Sequence, residues 1–183
     1  MRSRPGAISL LAALAFGSWL GWNGSATAQS AAPAHEIPQS LQVEHQETIE
    51  RLTILTHRPG AIGVEARKAM TLFKAHIARE NEFILPPLTL LPVLADGKVT
   101  PDMRWALAMC DRVKAEREQI FQEHARITDS MNALAAAARA THDKTAQEFA
   151  EAAVGDSLND MELLEPMVIV IGDYLRTKLP AGQ

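Results

Sequence analysis

The stretch FAEAAVGDSLNDMELLEPMVIVIGDY, residues 149–174, decides how this chain folds. Phe149, Ala153, Asp156, Asp160, Leu163, Met167, Val170 and Tyr174 recur along it at alternating steps of 4 and 3 residues. Such steps keep side chains on one face of an α-helix, whereas a strand alternates every second residue. The spacing predicts a long helix with one seam turned towards a core. Two aspartates lie in the middle of that seam. An unpaired charge is costly to bury, so acids placed there need a proton, a cationic partner or a metal ion.

Three more helical stretches precede it. The first runs from about Gln39 to Thr56 and ends before Pro59-Gly60. The second runs from about Ala61 to Leu85 and ends or kinks at Pro86-Pro87. Leu88 to Thr100 form a connection, rich in leucine at first and closed by Asp96-Gly97. The third helix starts near Pro101-Asp102, where proline suits a first turn, and runs to about Arg139. The fourth begins near Asp143 and runs to about Lys178, with a kink at Glu165-Pro166. There is almost no strand signal. Four long helices with short connections predict an all-α fold, an antiparallel up-down four-helix bundle over residues 38–183.

A chain of 183 residues suits one domain. Its first stretch reads differently. Arg2 and Arg4 precede an apolar run from Ile8 to Trp22, and Ala26-Thr27-Ala28 forms a small-x-small site. That layout predicts a secretory signal peptide over residues 1–28, a flexible leader over 29–37, and export to a periplasmic or extracellular compartment. The apolar run is short for a span of roughly 20 residues, so stable membrane insertion is not expected after cleavage. Removing Arg2 and Arg4 from 18 basic residues leaves 16 against 22 acidic ones, a net charge of −6. That balance argues against nucleic acid or an anionic membrane as partner. Cys110 is the single cysteine, so packing or a metal, rather than an internal disulfide, must stabilise the fold.

Each predicted helix carries an ionisable group on its apolar face. The faces read Leu41, His45, Ile49, Leu52, Leu55; Phe73, His76, Glu80, Phe83, Pro87; and Val113, Ile120, His124, Ile127, Met131, Leu134. One histidine on such a face is usually a core residue with a hydrogen-bond partner. Six candidates on four helices raise the question of a shared level. Two residues of an antiparallel hairpin are level when their midpoint falls at the turn. The midpoint of His45 and His76 falls on Gly60-Ala61, and that of His124 and Asp156 on Ala140. His76 and Glu80 meet His124 about Pro101. All six therefore fit one layer. The same arithmetic removes His57, 12 residues from His45 and so about 18 Å along a helix. It removes His142 and Cys110 too, each 14 residues from its neighbour in the layer, while His35 lies in the leader.

His76 and Glu80 are four residues apart and share a face, and Asp156 and Asp160 repeat that spacing. Imidazoles mixed with carboxylates suit iron, manganese or zinc better than calcium. Glu80 and Asp160, on opposite helices, could bridge two ions. His45 and His76 would then cap one, and His124 and Asp156 the other. Glu82 and Glu162 read as solvent-facing charges.

The chain also repeats itself. Leu41-Gln42-Val43-Glu44-His45 corresponds to Ile120-Phe121-Gln122-Glu123-His124. The segment from His76 to Glu82 with Pro86 corresponds to Asp156 to Glu162 with Pro166. This pattern resembles the hemerythrin-like (HHE cation-binding) family, in which a histidine followed downstream by H-x-x-x-E occurs twice. The resemblance extends from Leu41 to Leu175. It implies a four-helix bundle with a non-haem diiron centre, in proteins that bind oxygen, sense oxygen or iron, or handle nitric oxide and damaged iron centres. The second half departs from the pattern, with Asp156 where histidine is expected and Asp160 where glutamate is expected. Asp160 is one methylene shorter, and Asp156 exchanges a neutral nitrogen for an anionic oxygen. The added charge favours oxidised metal over reversible oxygen carriage. The expectation is an asymmetric centre, holding two ions if the second half is competent and otherwise one.

Motifs for other chemistries are missing. E-x-x-H, H-E-x-x-H, C-x-x-C, G-x-S-x-G and phosphate-binding glycine loops do not occur. Two function classes compete: an iron protein that binds a diatomic ligand, and a helical interaction module whose site holds no metal. A diiron enzyme is a third, but nothing in the sequence favours turnover over binding.

Overall fold

A computed structural model describes residues 35–180, so the predicted signal peptide and residues 29–34 of the leader lie outside the described residues. All regular structure among the described residues is helical. Helix α1 spans Gln39–Thr56 and α2 spans Gly60–Arg79. Helix α2 runs directly into a π turn at Glu80–Ile84. A 3₁₀ turn at Pro86–Leu90 and a short helix α3, Leu91–Ala95, occupy the predicted connection. A second 3₁₀ turn, Pro101–Arg104, leads into α4, Trp105–Ala140. Helix α5, Lys144–Asn159, passes through another π turn, Asp160–Leu164, into α6, Glu165–Lys178. No helix of the described residues is long and apolar enough to cross a membrane.

Local chemistry sets the two turns at one end. Gly60 follows Pro59 with φ of 73°, in the left-handed region that glycine enters without cost. A Cβ added at Gly63 would lie 1.9 Å from the Arg58 carbonyl oxygen, so this tight return needs the missing side chain. Arg67 Nη1 donates to the Thr56 carbonyl at 2.6 Å and closes the end of α1. At the other turn, the Asp143 carboxylate caps α5 by accepting from the Ala146 N–H at 3.1 Å. Arg58 pairs with Asp143 and ties the two turns together.

Helix α1 packs on α2, α2 on α4, and α4 on both α5 and α6, while α1 meets α5 only sparsely. The core consists of two clusters. One lies at the end with the tight turns and is rich in alanine: Ala66, Ala69, Ala135, Ala138, Ala146 and Ala150, with Leu52, Met131 and Leu134. The other lies towards the long connection and is built of larger side chains, among them Phe83, Ile84, Leu85, Ile120, Val168 and Leu175. Thr48, His76, Glu80, His124, Ser157 and Glu165 are the buried polar residues among the described residues, and they lie between the two clusters along their helices.

The predicted seam of the fourth helical stretch needs correction. Leu163 and Val170 are exposed, at 56% and 64%. The large apolar side chains buried along α6 are Val168, Ile171 and Leu175, each one position later than the seam foresaw. A π turn holds one residue more than the α-helical turn it replaces, and the register downstream shifts by that residue. Before the turn, the buried row is Ala146, Ala150, Ala153 and Ser157, whose small side chains lie against α4. Phe149 and Asp156 flank that row.

Candidate metal centre

The site is built from every long helical segment. His45 comes from α1, His76 from the last turn of α2, and Glu80 opens the first π turn. His124 lies midway along α4. Ser157 lies near the end of α5, Asp160 opens the second π turn, and Glu165 begins α6. His76, Glu80, His124 and Glu165 are all at most 4% exposed.

Glu80 is the hub. Its Oε2 lies 3.1 Å from His45 Nε2 and its Oε1 lies 3.1 Å from His76 Nε2. The rings of His76 and His124 meet edge to face, with centroids 4.3 Å apart. One ligand atom from each of His76, Glu80 and His124 lies within 4.8 Å of the other two. His124 Nδ1 meets Ser157 Oγ at 3.0 Å, and its Nε2 lies 3.0 Å from Glu165 Oε1. Behind His76, Arg79 holds Glu123, whose Oε2 stands 3.8 Å from His76 Nδ1, too far for a hydrogen bond.

Four carboxyl groups and three imidazoles line one cavity of about 20 Å³: Glu44, Glu80, Asp156 and Asp160 with His45, His76 and His124. Roughly 10–15 Å³ suffices for one water, so the cavity has room for a water or a single ion. Burial pushes the Asp160 carboxyl up, the nearby Glu80 charge adds to this, and the group reaches about 7. Burial and the Asp156 charge raise Glu44 as well. Burial would also raise Glu80, but its contacts with His45 and His76 outweigh it and hold the carboxyl at about 2. Burial acts to lower His45, and Glu80 reverses the direction and raises it.

The donor set fits a transition metal on an observation of its own. His76 Nε2, His124 Nε2 and Glu165 Oε1 are buried, and none has a hydrogen-bond partner among the described residues, although carboxylate or imidazole atoms stand close by. Hydrogen bonding requires the N–H to point at the acceptor, and here it does not. Ligands about 2.1 Å from one ion lie about 3 Å apart at octahedral angles and about 3.4 Å apart at tetrahedral ones, without bonding to one another. The 3.1 Å and 3.0 Å separations have that character.

The chain matches no protein-family model, no curated protein and no solved structure. The reading of the site therefore rests on its geometry.

Of the six residues singled out in the sequence, four come together: His45, His76, Glu80 and His124. Asp160 lines the same cavity half-buried. Asp156 is exposed and stands at the mouth, where the cavity meets a groove of about 350 Å³ between α1 and α5. The residues set aside lie elsewhere. His35 stacks on Trp105, His57 Nδ1 lies 2.8 Å from the Thr53 carbonyl at the surface, and His142 occupies a turn with φ of 57°. Cys110 is buried against Gly172. Glu82 is exposed and receives Arg112 at 2.6 Å. Sequence reasoning missed Ser157 and Glu165. A signal for Glu165 was present: it stands where the first half of the repeat has Leu85, and a charge replacing a core leucine asks for a partner.

Proposed function

We propose that this chain is an exported hemerythrin-like protein. Its fold is an antiparallel up-down four-helix bundle built from a two-helix repeat, and its central layer holds non-haem iron. The centre is asymmetric. His45, His76 and Glu80 would hold the firmer ion, and a second ion, where present, would bind in the half carrying His124 and Asp160. Bound iron would supply a redox-active position for a diatomic ligand such as oxygen or nitric oxide, or for sensing iron or redox state. The single observation that carries this reading is the set of buried ring nitrogens facing carboxylate oxygens at about 3 Å with no hydrogen bond between them. Manganese and zinc share the same ligand chemistry.

The chain's own residues have defined tasks in such a centre. Ser157 fixes the orientation of the His124 ring through Nδ1 and leaves Nε2 directed at the layer. The two core clusters exclude water on either side. Asp156 and Glu44 at the groove attract cations to the cavity mouth. The test loads the full chain with ferrous ion in the absence of oxygen and counts metal per chain. At least one tightly bound ion per chain is expected, with its loss in His76→Ala; fewer than one in the unaltered protein overturns the reading.

A second reading, a helical interaction module without metal, draws on one observation. His45 already lies 3.1 Å from Glu80, and the protonated ring would neutralise that carboxylate without an ion. It requires that a chelator leave the melting temperature unchanged.

A further inference from the structure

We propose that Glu165, rather than Asp156 or Asp160, is the carboxylate that binds a divalent transition cation alongside His124 in the second half of the layer. The inference rests on the metal-binding reading above and names a ligand that the repeat pattern does not contain.

Four observations carry it. Glu165 is 3% exposed, more deeply buried than Asp160, whereas Asp156 is exposed. Its Oε1 lies 3.0 Å from His124 Nε2, and neither atom has a hydrogen-bond partner among the described residues. Ser157 Oγ takes the other ring nitrogen at 3.0 Å. If Nδ1 carries the proton, it donates to Ser157, and Nε2 then presents a lone pair to a carboxylate oxygen. If Nε2 carries the proton, its N–H misses that oxygen. With the carboxylate ionised, either tautomer leaves two buried polar atoms face to face, and a cation between them satisfies both. The fourth observation is the backbone. The Glu165 N–H bonds to the Asp160 carbonyl across the π turn, as the Leu85 N–H bonds to the Glu80 carbonyl at 2.9 Å in the first half. The two halves thus present equivalent positions at each π turn. The first half places its carboxylate at the residue that opens the turn, Glu80, and a leucine at the residue that closes it. The second half has a short acid at the opening and the buried glutamate at the closing position.

The experiment measures affinity for zinc and cobalt(II) by competition with a chromophoric chelator, on the full chain and on Glu165→Gln, Glu165→Leu, Asp156→Asn and Asp160→Asn. Helical circular dichroism and metal-free melting of each variant are recorded alongside. Glu165→Gln is expected to lose roughly 100-fold or more, above the roughly 10–100-fold that losing a residue which merely orients a ligand costs. Asp156→Asn is expected to stay within a few-fold of the unaltered chain, and Asp160→Asn to lose less than Glu165→Gln. Glu165→Leu copies the first half of the repeat. It is expected to melt higher than the unaltered chain without metal and to lose the metal affinity, because the leucine removes an unpaired buried carboxylate. If Glu165 served only as an ion-pair partner of His124, Glu165→Leu would melt lower without metal, and the proposal fails. It fails too if Glu165→Gln binds as tightly as the unaltered chain. In both cases the metal centre itself stands. An unaltered chain that binds neither cation overturns the centre and this ligand assignment together.

Discussion

Burial and the Glu80 carboxylate hold the Asp160 carboxyl at about 7, well above its ordinary 3.8. A carboxyl raised by folding keeps its proton over a range where the unfolded chain has already lost it. Stability therefore falls as pH rises from about 4 to about 7. His45 acts in the same direction, since a histidine raised by folding contributes stability below 6.5 and loses it as pH rises through its folded value. Glu80 is opposite in sign, but its contribution is lost only as pH falls from 4.5 towards 2. Between pH 5.5 and 8, chelator-treated protein should thus show a falling denaturant midpoint, and Asp160→Asn should flatten the fall. With zinc in excess the slope should reverse, because ligand deprotonation and metal binding are coupled. A midpoint that rises with pH in the metal-free protein would contradict the charge arrangement of the layer. His45, His76, Glu80 and His124 were legible in the sequence because each interrupts an apolar helical face. Ser157 was not, because a serine among alanines leaves no periodic signature.

The two π turns are the elements that the periodicity could not reveal. Steps of 3 and 4 assume about 3.6 residues per turn, and one extra residue is invisible until the backbone is seen. That is why helix bounds such as Gln39–Thr56 could be read directly, while Leu163 and Val170 were assigned to a core they do not enter. The same shift concealed Glu165, which read as a kink beside Pro166. A deletion experiment isolates the effect. Removing exposed Leu163 converts the π turn to an α-helical one and keeps Val168, Ile171 and Leu175 in phase with α5, so cooperative thermal unfolding should persist. Removing Val170, more exposed still, rotates Ile171 and Leu175 by about 100° out of the core, and cooperative unfolding should be lost. Equal tolerance of both deletions would speak against the phase argument.

At the scale of the whole molecule, the polar layer divides the core, and side chains from α1, α2, α4 and α6 converge on it. A cation bound there joins these helices in the folded state alone. At 100 times its dissociation constant it would stabilise the fold by about 2.7 kcal/mol, which corresponds to about 5–10 °C in melting temperature for a chain of this size. Calorimetry with and without a chelator checks this, and an unchanged transition would favour the metal-free module.

The division also gives the molecule two ends with opposite tolerances. At the alanine-lined end, where Ala66, Ala69, Ala138 and Ala150 are at most 1% exposed, helices approach on their smallest side chains. Enlargement there wedges the helices apart, at about 1–3 kcal/mol, and opens the layer from below. At the other end, Phe83, Ile120 and Leu175 fill space that nothing else can, and truncation leaves a void costing about 2–5 kcal/mol. Enlargement is therefore the sharper hazard at one end and truncation at the other. A map of tolerated residue volume along the chain would change sign as it crosses from one end of the layer to the other.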